Sequence, residues 1–448
     1  MDPPPMISAY YEAVASSVSE HGPLSVVFFQ VGSFYEAYGF NGDGHDIHEI
    51  AEELRPIVVT RRDKSHPASR SNPWFLGAPC HAFPKYASIL VDNGHTVVTH
   101  DQVQENGKIE RRVSRVYSPG VPVECRGDSN TIMCVLYEET RIGALASVAT
   151  IDVVTGETAC SEFSGMDDDA KLALDGASAF AQRTRPKETV FVGNAIPSGY
   201  STSAFGCTRF ENERLSRLQI QEIVKLVFGE APLVDPIDLV GLTGRTGCYE
   251  ALATVLNFAW RRDETCVRGA LPPEVVSCDQ TLDVQNSSLV QLDIASGGLL
   301  SSLAKPKTAG GRRLLLKRVT SPSTDPKEIR AWHDLVDARL GDYEDIRKEI
   351  GRCIDLERFA KRVAKGTVPP NEWAGVARSL EIASRVCNSL STPLLDRISS
   401  LDPDARGENL FVQGFCEECD SLQGEYGAYF GVVKGVCDQL NQFLRLAG

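Results

Sequence analysis

The chain has 448 residues, 42% of them hydrophobic, a formal net charge of −14 and thirteen scattered cysteines; it is too long for one core and implies roughly three domains. Its longest apolar runs, Leu24 to Phe29 and Ile132 to Leu136, fall far short of the ~20 residues of a membrane span, and Met1 to Pro5 lacks the apolar core of a signal peptide. These features exclude a membrane protein and a disulfide framework, point to an intracellular, non-secreted protein, and by charge alone argue against nucleic acid.

Residues 8–20 carry helical periodicity, and LSVVFFQVG after them is a buried strand by its β-branched and aromatic content. SFYEAYG follows, then a polar loop, a helical HDIHEIAEEL, a short strand in RPIVVTRR, a helix in KYASILVDNG stopped by Gly94, and a strand in HTVVTHDQV. This mixed α/β domain, residues 1–122, ends at the turn Ser118 to Gly120. From Asn130 a meander of strands (TIMCVLYEE, IGALASVATIDVVTG, ETACSEF) gives way to helix and strand segments, an order that suggests an RNase H-like connector over 129–245. From Cys248 strands almost vanish, and YEALATVLNFAW, GRRLLLKRV, EIRAWHDLVDARL, DLERFAKRV and EWAGVARSLEIASRV predict a helical domain over 246–448. The fold class is therefore multidomain α/β plus all-α. The segment after Phe411 reads as a long helix still in progress at Gly448, as if the chain continued into something larger.

Charge is uneven: residues 51–118 hold ten Lys/Arg against seven Asp/Glu, and VVTRRDKSHPASR concentrates Arg61, Arg62, Lys64 and Arg70. That is either a local basic surface or a solvated loop. Metal chemistry has thin support, because Cys416 and Cys419 lack a second pair and His45 and His48 sit in a Gly-rich loop. No G-x-x-x-x-G-K-[ST] phosphate loop occurs in the sequence.

The fragment QVGSFYEAY, Gln30 to Tyr38, resembles the aromatic-x-Glu signature of MutS mismatch repair proteins. Four ordered blocks accompany it: VVTRRDK (Val58 to Lys64), GAPCHAFPKYASILVDNG (Gly77 to Gly94), VVTHDQV (Val97 to Val103) and RRVSRVYSPGV (Arg111 to Val121). Further on, TIDVVTGE resembles the family's connector strands, TAGGRRLL its T-x-x-G-x-R-x-L stretch, DLER its matching motif, and GFCEECDSL the start of its lever helix. VGSFYEAYG, TRRDK and HTVVTHDQV look closest to the organellar and giant-virus branch.

The resemblance implies a mismatch-recognition domain, a connector and a helical core and lever, with duplex DNA carrying mispairs or small loops as partner and a MutS-type dimer partner. It implies no cofactor in this chain, ATP and Mg belonging to the family's ATPase domain, which the sequence does not contain. Phe34 is then the wedge inserted into the base stack, and Glu36, two residues on and so on the same strand face, contacts the stacked base; it can accept a hydrogen bond or, when protonated, donate one. By its own sequence context, without the companion blocks, Phe34 reads instead as core at the end of an apolar strand, and Glu36 as a solvated turn carboxylate. Arg62 and Arg115 are implied at the DNA backbone, with Arg61, Lys64 and Lys85 as lesser candidates; Phe75 stands where relatives carry a minor-groove Met, and Ser33 replaces the family's common Asp. Two other readings stay open: a regulatory or scaffold protein pairing with a full-length MutS partner, and an RNase H-like nuclease for which Asp152 lacks clear carboxylate partners.

Overall fold

The run SVVFFQV forms strand β1 (Ser25–Val31), and a hairpin at Gly32 and Ser33 returns the chain as β2 (Phe34–Phe40), pairing Val31 with Phe34 and Phe29 with Glu36. The computed structural model describes residues 3–386, apart from 106–107, 125–126, 142, 167–170, 195, 198–199, 212–213, 232, 277–281, 283–305, 338, 370–371, 374, 377, 380–381 and 384–385. Residues 1–153 and 157–275 form one unit, and 154–156 with 276–448 form a second.

In the first unit the hairpin sits inside a sheet completed by β3 (Asp43–Gly44), β4 (Thr60–Arg61), β5 (Trp74–Pro79), β6 (Thr96–Glu105) and β7 (Lys108–Tyr117). The strand order is β4-β5-β2-β1-β6-β7, with β3 added to β2. β1 and β6 run parallel, and the other pairs are antiparallel. Successive strand residues point to opposite faces, and each face has its own helix. On one, Tyr10 of α1 (Pro5–His21) sets its ring 5.0 Å from Phe29 and 5.1 Å from Tyr38, and its hydroxyl donates to the Val27 carbonyl at 2.8 Å. On the other, Phe83 of α3 (Phe83–Asp92) lies 5.0 Å from Phe28 and 4.3 Å from Tyr35. Between them in sequence, α2 (Ile47–Glu53) is capped by Asp46, which accepts from the His48 and Glu49 amides.

The strand expected in RPIVVTRR shrinks to Thr60 and Arg61, because only those residues pair with β5. Strands β5 and β7 have no counterpart among the elements expected from the sequence. His45 is the residue after β3: its Nε2 accepts the Val27 amide at 2.8 Å, and a Cβ at Gly39 would fall 1.8 Å from the His45 carbonyl oxygen, so that position requires glycine. Burial, with His95 adding, pushes the His45 imidazole down to about 4. Its contribution to stability is therefore complete above the ordinary histidine value near 6.5 and is lost as pH falls from there through about 4. We expect His45 by itself to contribute about 3 kcal/mol to the fall in stability of the first unit over that window, read from urea midpoints. His45→Gln should flatten that slope and leave the part due to His21, which burial also holds at about 4.

A second sheet of the same unit contains β8 (Thr131–Thr140), β9 (Gly143–Asp152), β10 (Thr158–Met166), β11 (Glu188–Gly193), β12 (Cys207–Glu211) and β13 (Glu274–Val275), in the order β12-β11-β8-β9-β10-β13. The first three form the antiparallel meander expected from the sequence, and the remaining strands add in parallel. Helix α4 (Lys171–Thr184) lies between β10 and β11, and α5 (Arg217–Phe228), α6 (Pro236–Leu239) and α7 (Thr246–Arg262) lie between β12 and β13. The sequence places α7 at the head of the helical region beginning at 246. In the structure its Cys248, Leu252, Val255 and Leu256 are buried in one core with Ile132, Cys134 and Ile151 of the second sheet, so the first unit runs on to Val275.

The two sheets of this unit meet at Glu188, which is 0% exposed. Glu188 Oε2 accepts from Ser118 Oγ at 2.5 Å and from the Gly120 amide at 3.0 Å, while Oε1 accepts from Arg209 Nε. The other two guanidinium nitrogens of Arg209 donate to the His21 carbonyl at the end of α1 and to Thr96 Oγ1 at the start of β6. Burial works to raise the Glu188 carboxyl, but Arg262, Arg209 and Ser118 together outweigh it and hold it below the usual carboxylate value.

The second unit is helical where described: α8 (Ala309–Thr320), α9 (Pro326–Asp337), α10 (Tyr343–Ile350) and α11 (Leu356–Ala364). The TAGGRRLL and DLER blocks meet there. Thr308 caps α8, Asp355 caps α11, and Arg313 donates to both Asp355 oxygens at 2.9 and 2.7 Å. The expected lever helix, with Cys416 and Cys419, lies outside the described residues. The chain is thus a mixed α/β and helical multidomain protein.

Candidate functional site

Phe34 opens β2 and is 43% exposed, whereas Phe28 and Phe29 of the neighbouring strand are 1% and 2% exposed. An aromatic ring left in water at that point is not serving the core. On the same face of β2 come Glu36 and then the buried Tyr38, and opposite them on β5 stand Pro79, Gly77 and Phe75. Gly77 keeps the surface open between the two side chains: a Cβ there would lie 3.4 Å from Glu36 Cγ and 3.9 Å from Phe34 Cδ1. Phe75 stacks on Tyr38 with centroids 5.7 Å apart, and the Tyr38 hydroxyl donates to Glu36 Oε2.

Two guanidinium groups border this face. Arg62 is exposed just beyond β4, and Arg111 of β7 reaches back, donating from Nε to the Gln30 carbonyl at 2.9 Å with its charge 5.7 Å from the Phe29 ring centre. Burial lowers the Arg111 value, Arg62 adds to that, and Glu36 opposes it. Burial, followed by the hydrogen bond to Glu36 and its charge, drives the Tyr38 phenol well above its ordinary value, and Arg62 and Arg111 oppose this. Tyr38 therefore remains a hydrogen-bond donor across the usable pH range. The assembly offers an exposed ring, a carboxylate with one oxygen already engaged, and cations beside them.

The structure brings Phe34, Glu36, Phe75 and Arg62 together, and it adds Arg111, which sequence reasoning did not single out. It does not bring Arg115 to them. A bulge shifts the β6–β7 register between Thr99 and His100, pairing His100 with Val113 but Thr99 with Arg115. Arg115 therefore shares the face of Thr99, where its Nη1 donates to the Tyr117 hydroxyl at 3.3 Å. Asp101 also acts on Arg115, and Asp101 accepts from Tyr35 on the face opposite Phe34. Lys85 is exposed on α3, the helix of that opposite face. Arg61 lies over the Trp74 ring at 4.9 Å, and Lys64 is exposed in the loop after β4. Ser33 is exposed in the hairpin, where its carbonyl accepts the Cys80 amide at 2.9 Å.

Among the described residues no group of three or more His, Cys, Asp or Glu is placed to hold a metal ion, and no helix is long and apolar enough to cross a membrane. Asp152 accepts the Asn130 amide at 3.1 Å, which closes the start of β8 on the end of β9.

Comparison with known proteins gives two family matches, MutS domain I over residues 5–125 and MutS domain III over residues 280–425. The DNA mismatch repair protein MutS of Syntrophomonas wolfei is 24% identical over 434 residues, covering 89% of this chain and 46% of that protein. A putative DNA mismatch repair protein, a mutS homolog of Acanthamoeba polyphaga mimivirus, is 23% identical over 424 residues, covering 82% of this chain and 38% of that one. The MutS protein of Bacillus cytotoxicus is 26% identical over 409 residues, with 88% and 42% covered. The chain spans less than half the length of these curated relatives.

Proposed function

Because the chain belongs to the MutS family, we propose that the Phe34 face of its first sheet binds duplex DNA and tests it for mispairs. The observation that carries this reading is the exposed Phe34 ring on one strand face with Glu36. A mispaired step is poorly stacked, so opening it costs less than opening a matched one. An aromatic side chain entering from the minor groove costs a few kcal/mol of unstacking and recovers part of it by stacking on the displaced base. Glu36 supplies a hydrogen-bonding group for that base, and Phe75 lies behind it on the same face. Arg62 supplies sequence-independent attraction to phosphate, as do Arg61 and Lys64 more weakly; Arg115 and Lys85, on the other side of the sheet, would serve DNA that wraps around its edge.

In this reading the meander and its parallel extension form an RNase H-like connector that binds rather than cuts, since Asp152 is engaged in closing a turn. The helical unit is the core from which a lever leads to the clamp. ATP turnover belongs to the family's ATPase domain and is not a property of these 448 residues, and a MutS-type subunit is the expected dimer partner. The test is a gel-shift titration at fixed salt with a matched duplex, a G·T duplex and a duplex with one unpaired base. The latter two should bind several-fold more tightly, and equal affinities would overturn the reading.

A further inference from the structure

The Tyr38 hydroxyl donates to the Glu36 carboxylate from a fixed place in the fold. Its ring is wholly buried, wedged between Tyr10 at 5.1 Å and Phe75 at 5.7 Å, so the hydroxyl emerges directly behind Glu36. We propose that Tyr38 is a positioning residue for mismatch reading, one that touches no DNA and acts by holding Glu36 in a single orientation with one carboxylate oxygen free for a base. This role rests on the proposed reading of mispairs by the Phe34 face.

Three features support it. A glutamate on an open strand face would otherwise sample several rotamers, and holding one in advance removes that ordering cost from binding. The Tyr38 hydroxyl donates to Oε2, so Oε1 is left as the oxygen for a base edge. Gly77, directly across from Glu36, leaves the space above the carboxylate clear.

The experiment is a double-mutant cycle. Wild type, Tyr38→Phe, Glu36→Ala and the double variant are titrated with matched and G·T duplexes, and thermal unfolding is recorded for each. Tyr38→Phe keeps the buried ring and both aromatic contacts. We expect it to leave matched-duplex affinity unchanged and to reduce the mismatch preference by roughly five-fold, the scale of immobilising one rotamer-rich side chain on binding. In the Glu36→Ala background the same substitution should have no further effect on preference, because its only route of action is gone. A purely structural tyrosine would instead shift unfolding and affect both duplexes equally in both backgrounds. Wild-type discrimination undiminished in Tyr38→Phe, or an equal loss with and without Glu36, overturns the assignment while leaving the mismatch reading intact. A wild type that binds both duplexes alike overturns that reading and this one with it.

Discussion

Phe34→Ala is expected to abolish discrimination between mismatched and matched duplex while leaving weak binding to both. Base-on-aromatic stacking contributes about 1–3 kcal/mol per base, so its loss should cost about ten-fold or more in mismatch affinity, whereas contacts to phosphate, and hence the salt slope, persist. The ring is 43% exposed, so its removal should move thermal unfolding far less than the roughly 3–5 kcal/mol of a buried Phe→Ala change. Stability unchanged with preference lost is the signature of a wedge. Arg62→Ala should behave differently, weakening both duplexes alike and lowering the salt slope by about one. A salt series on both duplexes separates the two, and a Phe34→Ala protein that keeps its full preference would leave the mechanism without its wedge.

Arg209→Met is expected to be strongly destabilising to the first unit. It strips Glu188, 0% exposed, of its closest cation and leaves the His21 carbonyl and Thr96 hydroxyl without the donors they now have. Breaking a buried pair from one side costs about 3–5 kcal/mol, while replacing both partners with apolar residues is often close to neutral. Urea unfolding of Arg209→Met and of Arg209→Met with Glu188→Leu should show the double variant recovering only part of the loss, because Ser118 and the Gly120 amide then lose their acceptor. The wild-type contribution has a defined pH window: the folded Glu188 value lies below its ordinary one, so the stabilisation is complete above pH ~4.5 and disappears as pH falls through the lower folded value. A single variant as stable as wild type at pH 7 would show that the cluster contributes nothing net.

Much of this arrangement was legible in the residues. Long apolar runs such as SVVFFQV and TIMCVLYEE announced their strands, and the spacing of Phe34 and Glu36 placed them on one face. β5 was not legible, because WFLGAP is short and ends in Gly-Ala-Pro, which reads as a turn. β7 was hidden by its charges: KIERRVSRVY is a solvent-facing edge strand whose side chains are mostly polar. That Arg111 and not Arg115 shares the face of Phe34 was hidden for a sharper reason. The two are four residues apart and would share a face in a regular strand, but the bulge opposite Thr99 sends them to opposite sides. Strand parity can be counted in a sequence; an inserted residue in the pairing cannot. Nor could sequence show that Tyr38, two residues past Glu36, would be buried with its hydroxyl on that carboxylate.

The parallel pairing of β1 with β6 also has a temporal side. Leu24 and His95, which precede the paired strands, are 71 residues apart in the chain. At roughly 5–20 residues per second of synthesis, the inner edge of β1 waits on the order of 4–14 s for its neighbour. During that interval β1 and β2 exist as a hairpin whose other flank is bare backbone, the kind of edge that recruits a foreign strand. Thr96, where β6 begins, then waits for Arg209, another 113 residues along. A nascent chain thus carries an open β1 edge until β6 has been made, and an unmatched Thr96 end of that sheet until Arg209 arrives, which makes this stretch of translation the period in which a chaperone has most to protect.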